Sequence, residues 1–146
     1  MTHAFLFQEG VWTARGNYFD DMERILPLEG TIRITHLEGL WLNEGEVEIK
    51  MGESPIKIHN RYEIIPAEEG KNQTTWTSVN PALGILLGCV DIVEDTIIST
   101  CRAEKGEYTG AEFHLRVSDV RYKNRGVLLK GNDKLSSWSV DLQKSS

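Results

Sequence analysis

Short stretches in which apolar and polar residues alternate run through this chain, each ended by turn residues, and no helical period is long enough to pack. Ten such stretches can be drawn. They are Val11–Phe19, Ile25–His36, Leu40–Met51, Ile56–Ile65, Gln73–Val79, Leu83–Val93, Thr96–Ala103, Tyr108–Val117, Val120–Lys130 and Ser136–Gln143. Punctuation such as Glu38-Gly39, Gly52-Glu53-Ser54-Pro55, Glu68-Glu69-Gly70-Lys71 and Gly131-Asn132-Asp133 separates them. The one helical window, Asp20–Leu26, is too short to form a packed amphipathic helix. A meander of this many strands must curl or close, because a long flat sheet leaves two edges and one apolar face open. The expectation is an all-β chain folded as a single antiparallel up-and-down barrel of about eight to ten strands, with little helix. Residues 1–146 form one domain. A two-sheet sandwich ranks second, because it needs longer crossover connections than the turns provide.

Composition narrows the function. A length of 146 residues with 40% hydrophobic and 26% charged residues fits a globular core that needs no disulfide or structural metal. The net charge of -6 repels phosphate backbones, so no nucleic-acid partner is expected. The longest apolar run, Pro81–Val90, contains two glycines and is far short of the ~20 residues of a membrane span. MTHAFLFQEG lacks the basic start and long apolar core of a signal peptide, so a cytoplasmic protein is expected. The triplet Asn72-Gln73-Thr74 then carries no glycan. Cys89 and Cys101 lie on two arms of one hairpin and match no zinc spacing. They read as small buried apolar residues rather than a disulfide pair.

Gly10-Val11-Trp12 opens the first strand, tight hairpins fill the rest, and Ser136–Gln143 is placed to return beside the first strand. In these features the chain resembles the calycin superfamily, which includes lipocalins, fatty-acid-binding proteins and nitrobindin-like haem proteins. The resemblance implies a lipocalin-like barrel in which Trp12, with Trp138, closes one end. Three departures accompany it. About five residues separate Phe19 from Ile25, too few for the helical lid of the fatty-acid carriers. Only Lys144 can supply the basic residue that lipocalins place over the tryptophan. Nothing after His114 can serve as a haem-ligating histidine.

Period two also sorts the candidate site residues. Leu28, Ile32 and Ile34 continue into His36; Trp41, Asn43, Val47 and Ile49 share a face; so do Ile58, Asn60, Tyr62 and Ile64. Asn43, Asn60, Tyr62, Trp76, Ser99 and the two cysteines place more polar groups inside than a close-packed core would use, which points to a cavity. Trp41, Tyr62 and Trp76 are expected as wall contacts, and His36, Asn43 and Asn60 as groups that orient a ligand. His59 and His114 fall out of phase with the apolar positions and are expected on the surface; His3 is expected in a mobile terminus. Glu44, Glu46 and Glu48 form a solvated outer face. No metal motif, phosphate loop or nucleophile elbow is present, and no cofactor follows. The expected function is binding of a small apolar or amphipathic ligand. The alternatives are a lyase or isomerase using His36 with Tyr62, and a filled barrel that pairs through an exposed edge strand as a homodimer.

Overall fold

The alternating stretches become strands almost residue for residue. In the computed structural model, which describes residues 2–145, ten strands follow one another and no helix is present among the described residues. They are β1 (Gly10–Phe19), β2 (Ile25–Leu37), β3 (Leu40–Ile49), β4 (Ile56–Ile64), β5 (Gln73–Asn80), β6 (Gly84–Val93), β7 (Thr96–Ala103), β8 (Tyr108–Ser118), β9 (Arg121–Lys130) and β10 (Asp133–Lys144). Each pairs antiparallel with its neighbours in sequence, and β10 returns to β1 to close the barrel, from Trp12 opposite Lys144 to Phe19 opposite Ser137. Closure removes the two sheet edges that an open meander would expose. Lys144 is thus the direct cross-strand partner of Trp12, with both side chains on the same face of the sheet.

The window once open to a helix is an Asx turn. The Asp20 carboxylate accepts hydrogen bonds from the backbone N–H groups of Met22 and Arg24 and from the Arg24 side chain. Desolvation raises the Asp20 pKa, but these bonds and the Arg24 charge together outweigh it and hold the pKa below the usual value. One seam is short. β4 and β5 pair only at Glu63–Thr77 and Ile64–Trp76, with the Ser78 hydroxyl donating to the Arg61 carbonyl beyond them. Among the described residues, the flank of β4 from Ile56 to Asn60 has no strand partner on that side.

Two phase assignments need correction. His114 is buried, not on the surface. On β8 the usual pattern is inverted: Phe113, Leu115 and Val117 face outward, 44%, 40% and 48% exposed, while Gly110, Glu112 and His114 line the interior. Reading apolar as inside therefore picks the wrong face of this strand. Cys89 pairs with Thr100, whereas Cys101 pairs with Gly88, one position along. The two thiols are near neighbours on opposite faces, and both are free.

The segment ahead of β1 is a third correction, because His3 is not in a mobile terminus. His3, Ala4, Phe5 and Leu6 are buried across one end of the barrel. A chain of hydrogen bonds ties them down. The Ala4 N–H donates to the Tyr122 hydroxyl (3.2 Å), that hydroxyl donates to His3 Nδ1 (2.7 Å), and His3 Nε2–H donates to the Glu94 carbonyl (2.8 Å). This order assigns the Nε2–H tautomer to His3.

Candidate ligand cavity

Aromatic rings make the floor of the site. Phe5 is fully buried and stacks on His114 with centroids 4.6 Å apart. It also meets Trp12 edge-to-face at 5.4 Å, and Trp12 meets Tyr122 the same way at 5.6 Å. Such pairs add packing specificity to a large apolar burial. Trp12 closes this end as expected, but Phe5 does so with it, and Trp138 does not. The register sets Trp138 opposite Tyr18, six residues along β1 from Trp12, where it forms part of the wall.

His36 and Trp41 also belong to the floor. Their rings stack at 4.0 Å, and His36 Nε2–H donates to the Leu6 carbonyl at 2.8 Å. Trp41 packs edge-to-face on Phe7. Neither residue lines the cavity. The ligand-orienting role expected of His36 and the wall role expected of Trp41 therefore have a different physical content. Both residues anchor the segment that seals the barrel, and the pairing of His36 with Tyr62 as acid and base is not assembled.

Above this floor lies a cavity of about 340 Å³, mostly apolar in its lining. That volume is at the small end of ligand pockets. Asn43, Asn60, Tyr62 and Trp76 all line it, as does Cys101. Asn43 pairs with Tyr62, and Gly45 with Asn60, so the β3–β4 wall presents a contiguous polar patch. Gly45 leaves open space, since a Cβ there would find nothing nearer than 3.8 Å. The cavity runs towards Ile58 and Asn60 on β4, Asn80 at the end of β5 and Leu83 just beyond it, beside the unpaired flank of β4.

Two tryptophans are seated on glycines of the neighbouring strands. Trp76 covers Gly88 and Trp138 covers Gly126, and a Cβ at either glycine would fall within 2.1 Å of the indole. The Trp76 indole N–H donates to Ser99 Oγ at 3.0 Å, and Tyr62 packs edge-to-face on Trp76. The Trp138 indole N–H donates to Glu112 Oε2 at 2.8 Å. Glu112 Oε1 lies 3.3 Å from His114 Nε2, which also contacts the Asn124 amide at 3.0 Å. Among the described residues, no Lys or Arg joins Glu112 in the lining.

Burial sets the proton affinities here. It pushes the Tyr62 hydroxyl far above its ordinary pKa, and the nearby Glu112 adds to the effect. The Cys101 thiol is raised by the same two causes, so it is a neutral lining group and not a ready nucleophile. Burial lowers the His114 pKa below that of a free imidazole; Glu112 opposes this and His3 reinforces it. The unfolded chain then binds a proton at His114 that the folded chain refuses. Stability from this group is complete above about pH 6.5 and is lost as pH falls towards the folded pKa, by up to about 1.4 kcal/mol per pH unit. Urea midpoints measured from pH 7.5 to 5 should fall more steeply for the natural protein than for His114→Gln. Parallel slopes would place the titration elsewhere.

No protein-family model matches the sequence, and no curated protein matches it. Among solved structures, the barrel is similar to the S-type phycobiliprotein lyase CPES of Guillardia theta. The TM-score is 0.67 at 12% sequence identity, over 95% of this chain and 89% of that one. The fold is lipocalin-like. An AttH-like protein of Nitrosomonas europaea gives a TM-score of only 0.36 at 11% identity, covering 94% of this chain and 51% of the other. At these identities the likeness concerns fold, and the cavity must be read from its own residues.

The residues missed by sequence reasoning are Phe5, Glu112, His114, Gly45 and the glycine seats. Ala4-Phe5-Leu6-Phe7 was a usable signal, four apolar residues ahead of the first strand. The glycine seats needed the strand register, which one sequence does not give.

Proposed function

We propose that this protein binds a small, largely apolar ligand inside its barrel, as a distant member of the calycin superfamily acting in the cytoplasm. The observation that carries this reading is the mostly apolar cavity inside the barrel, floored by Phe5 and furnished with a few polar groups. Asn43, Asn60 and Tyr62 make no protein hydrogen bonds through their side chains among the described residues, so they are free to orient a ligand. Tyr62 and Trp76 supply aromatic wall contacts, and His36 and Trp41 serve the site indirectly by holding its floor.

An enzymatic role in the same cavity is the second reading. It is favoured by Glu112 beside His114, an acid and a base at 3.3 Å inside an apolar chamber. The likeness to a phycobiliprotein lyase makes pigments a sensible class to screen for turnover. The test of binding is direct. The neutral dye N-phenyl-1-naphthylamine should brighten and shift to the blue on saturable binding, and native mass spectrometry should resolve a one-to-one complex. Dye fluorescence that stays at its aqueous level would defeat the proposal.

A further inference from the structure

Glu112 gives the cavity a sign, and this inference rests on the binding role proposed above. The side chain is 35% exposed although its strand position points inward, so that exposure is to the chamber. A carboxylate offers about four acceptor positions. The Trp138 indole takes one, while the neutral His114, whose Nε2 accepts from the Asn124 amide, has no hydrogen there for the carboxylate 3.3 Å away. The others face the cavity. Nothing nearby neutralises the charge: among the described residues no Lys or Arg lines the chamber, and burial keeps His114 in its neutral form near pH 7. A carboxylate that faces a mostly apolar chamber with no cation beside it is an anchor for a ligand that supplies one.

The surroundings suit such a ligand. The Trp138 indole is held beside Glu112, and Tyr62 and Trp76 add two more ring systems to the same lining. Aromatic faces attract ammonium groups, more strongly when water is excluded. We infer that the cavity selects amphiphiles carrying a protonated amine or comparable cationic N–H donor, with Glu112 as the anchor, and disfavours carboxylate-bearing lipids. The ammonium group donates to the remaining acceptor positions of Glu112 while its apolar chain occupies the space beside Gly45 and the β3–β4 wall.

Three probes with one chain length separate the possibilities: decylamine, 1-decanol and decanoate, each titrated calorimetrically at pH 7 and checked by displacement of N-phenyl-1-naphthylamine. Decylamine should bind about tenfold or more tightly than decanoate, with decanol between, since a charge-assisted hydrogen bond separates the first from the others. Glu112→Gln should reduce decylamine to the affinity of decanol. Glu46→Gln, which removes a carboxylate from the exposed outer face, should leave the order unchanged and so exclude attraction by net charge. The order of the three probes on the natural protein decides the matter even if Glu112→Gln fails to fold. Equal binding of all three probes, or a preference for decanoate, would overturn the amine assignment while leaving the binding role standing. If none of the probes binds and the dye does not bind either, both fall.

Discussion

Replacing Phe5 by alanine is expected to cost about 3–5 kcal/mol, the usual penalty for removing a fully buried aromatic ring. The expectation depends on how the ring is held. Phe5 contacts His114, Trp12 and Tyr122 at once, and these come from β8, β1 and β9. The backbone on either side is fixed by Ala4 to Tyr122 and by Leu6 to His36, so the segment cannot slide inward to fill the hole. The cavity left by the ring would merge with the chamber above, because Phe5 already lines it. A urea titration followed by tryptophan fluorescence should show a sharply lower midpoint. An unchanged midpoint would mean that residues 3–7 are not docked in solution.

Gly45→Leu should do the opposite to stability and abolish binding. Glycine inside a strand is unfavourable by roughly 0.5–1 kcal/mol relative to a residue with a side chain. At most such sites the gain is cancelled by a clash, as at Gly88 and Gly126, where an indole occupies the space. Gly45 differs, because its nearest neighbours would be Ile32 Cγ1 at 3.8 Å and Thr31 O at 3.9 Å, ordinary contact distances. A leucine there extends into the chamber beside Asn60. The variant should melt higher than the natural protein and leave N-phenyl-1-naphthylamine in water. Full dye binding by a folded Gly45→Leu would move the ligand site out of this cavity.

The architecture was legible because most strands carry the larger share of their apolar residues on the inner face, and alternation at period two is the physical imprint of a half-buried sheet. Ile32 and Ile34, Val47 and Ile49, and Ile58 with Ile64 announce their faces without help. Asn43, Asn60, Tyr62 and Trp76 were legible as cavity residues for the same reason, since they interrupt these apolar rows in phase. Strand β8 was not. Its outer face is Phe113, Leu115 and Val117, and its inner face is Gly110, Glu112 and His114, so the most chemically informative strand is the one where hydrophobicity misleads. His36 was correctly turned inward, yet its partner is a backbone carbonyl thirty residues away in sequence, at a distance no local pattern encodes. The height of Trp138 in the barrel depends on the β1–β10 register, which local alternation does not encode.

The seam between β1 and β10 has a consequence for how the molecule is made. On the ribosome β1 and β2 can form their hairpin early, but the other flank of β1 has no partner until the last strand is synthesised. Residues 3–7 wait as long, because His114 and Tyr122, which they dock against, also emerge late. Through most of translation the nascent chain therefore displays an unpaired strand and a loose run of apolar residues together. Nascent intermediates with such features fold slowly and are prone to stick to one another. A chaperone that recognises extended apolar segments would find its natural target in the first nineteen residues, and a stop codon placed before β10 should yield an insoluble product rather than a smaller barrel.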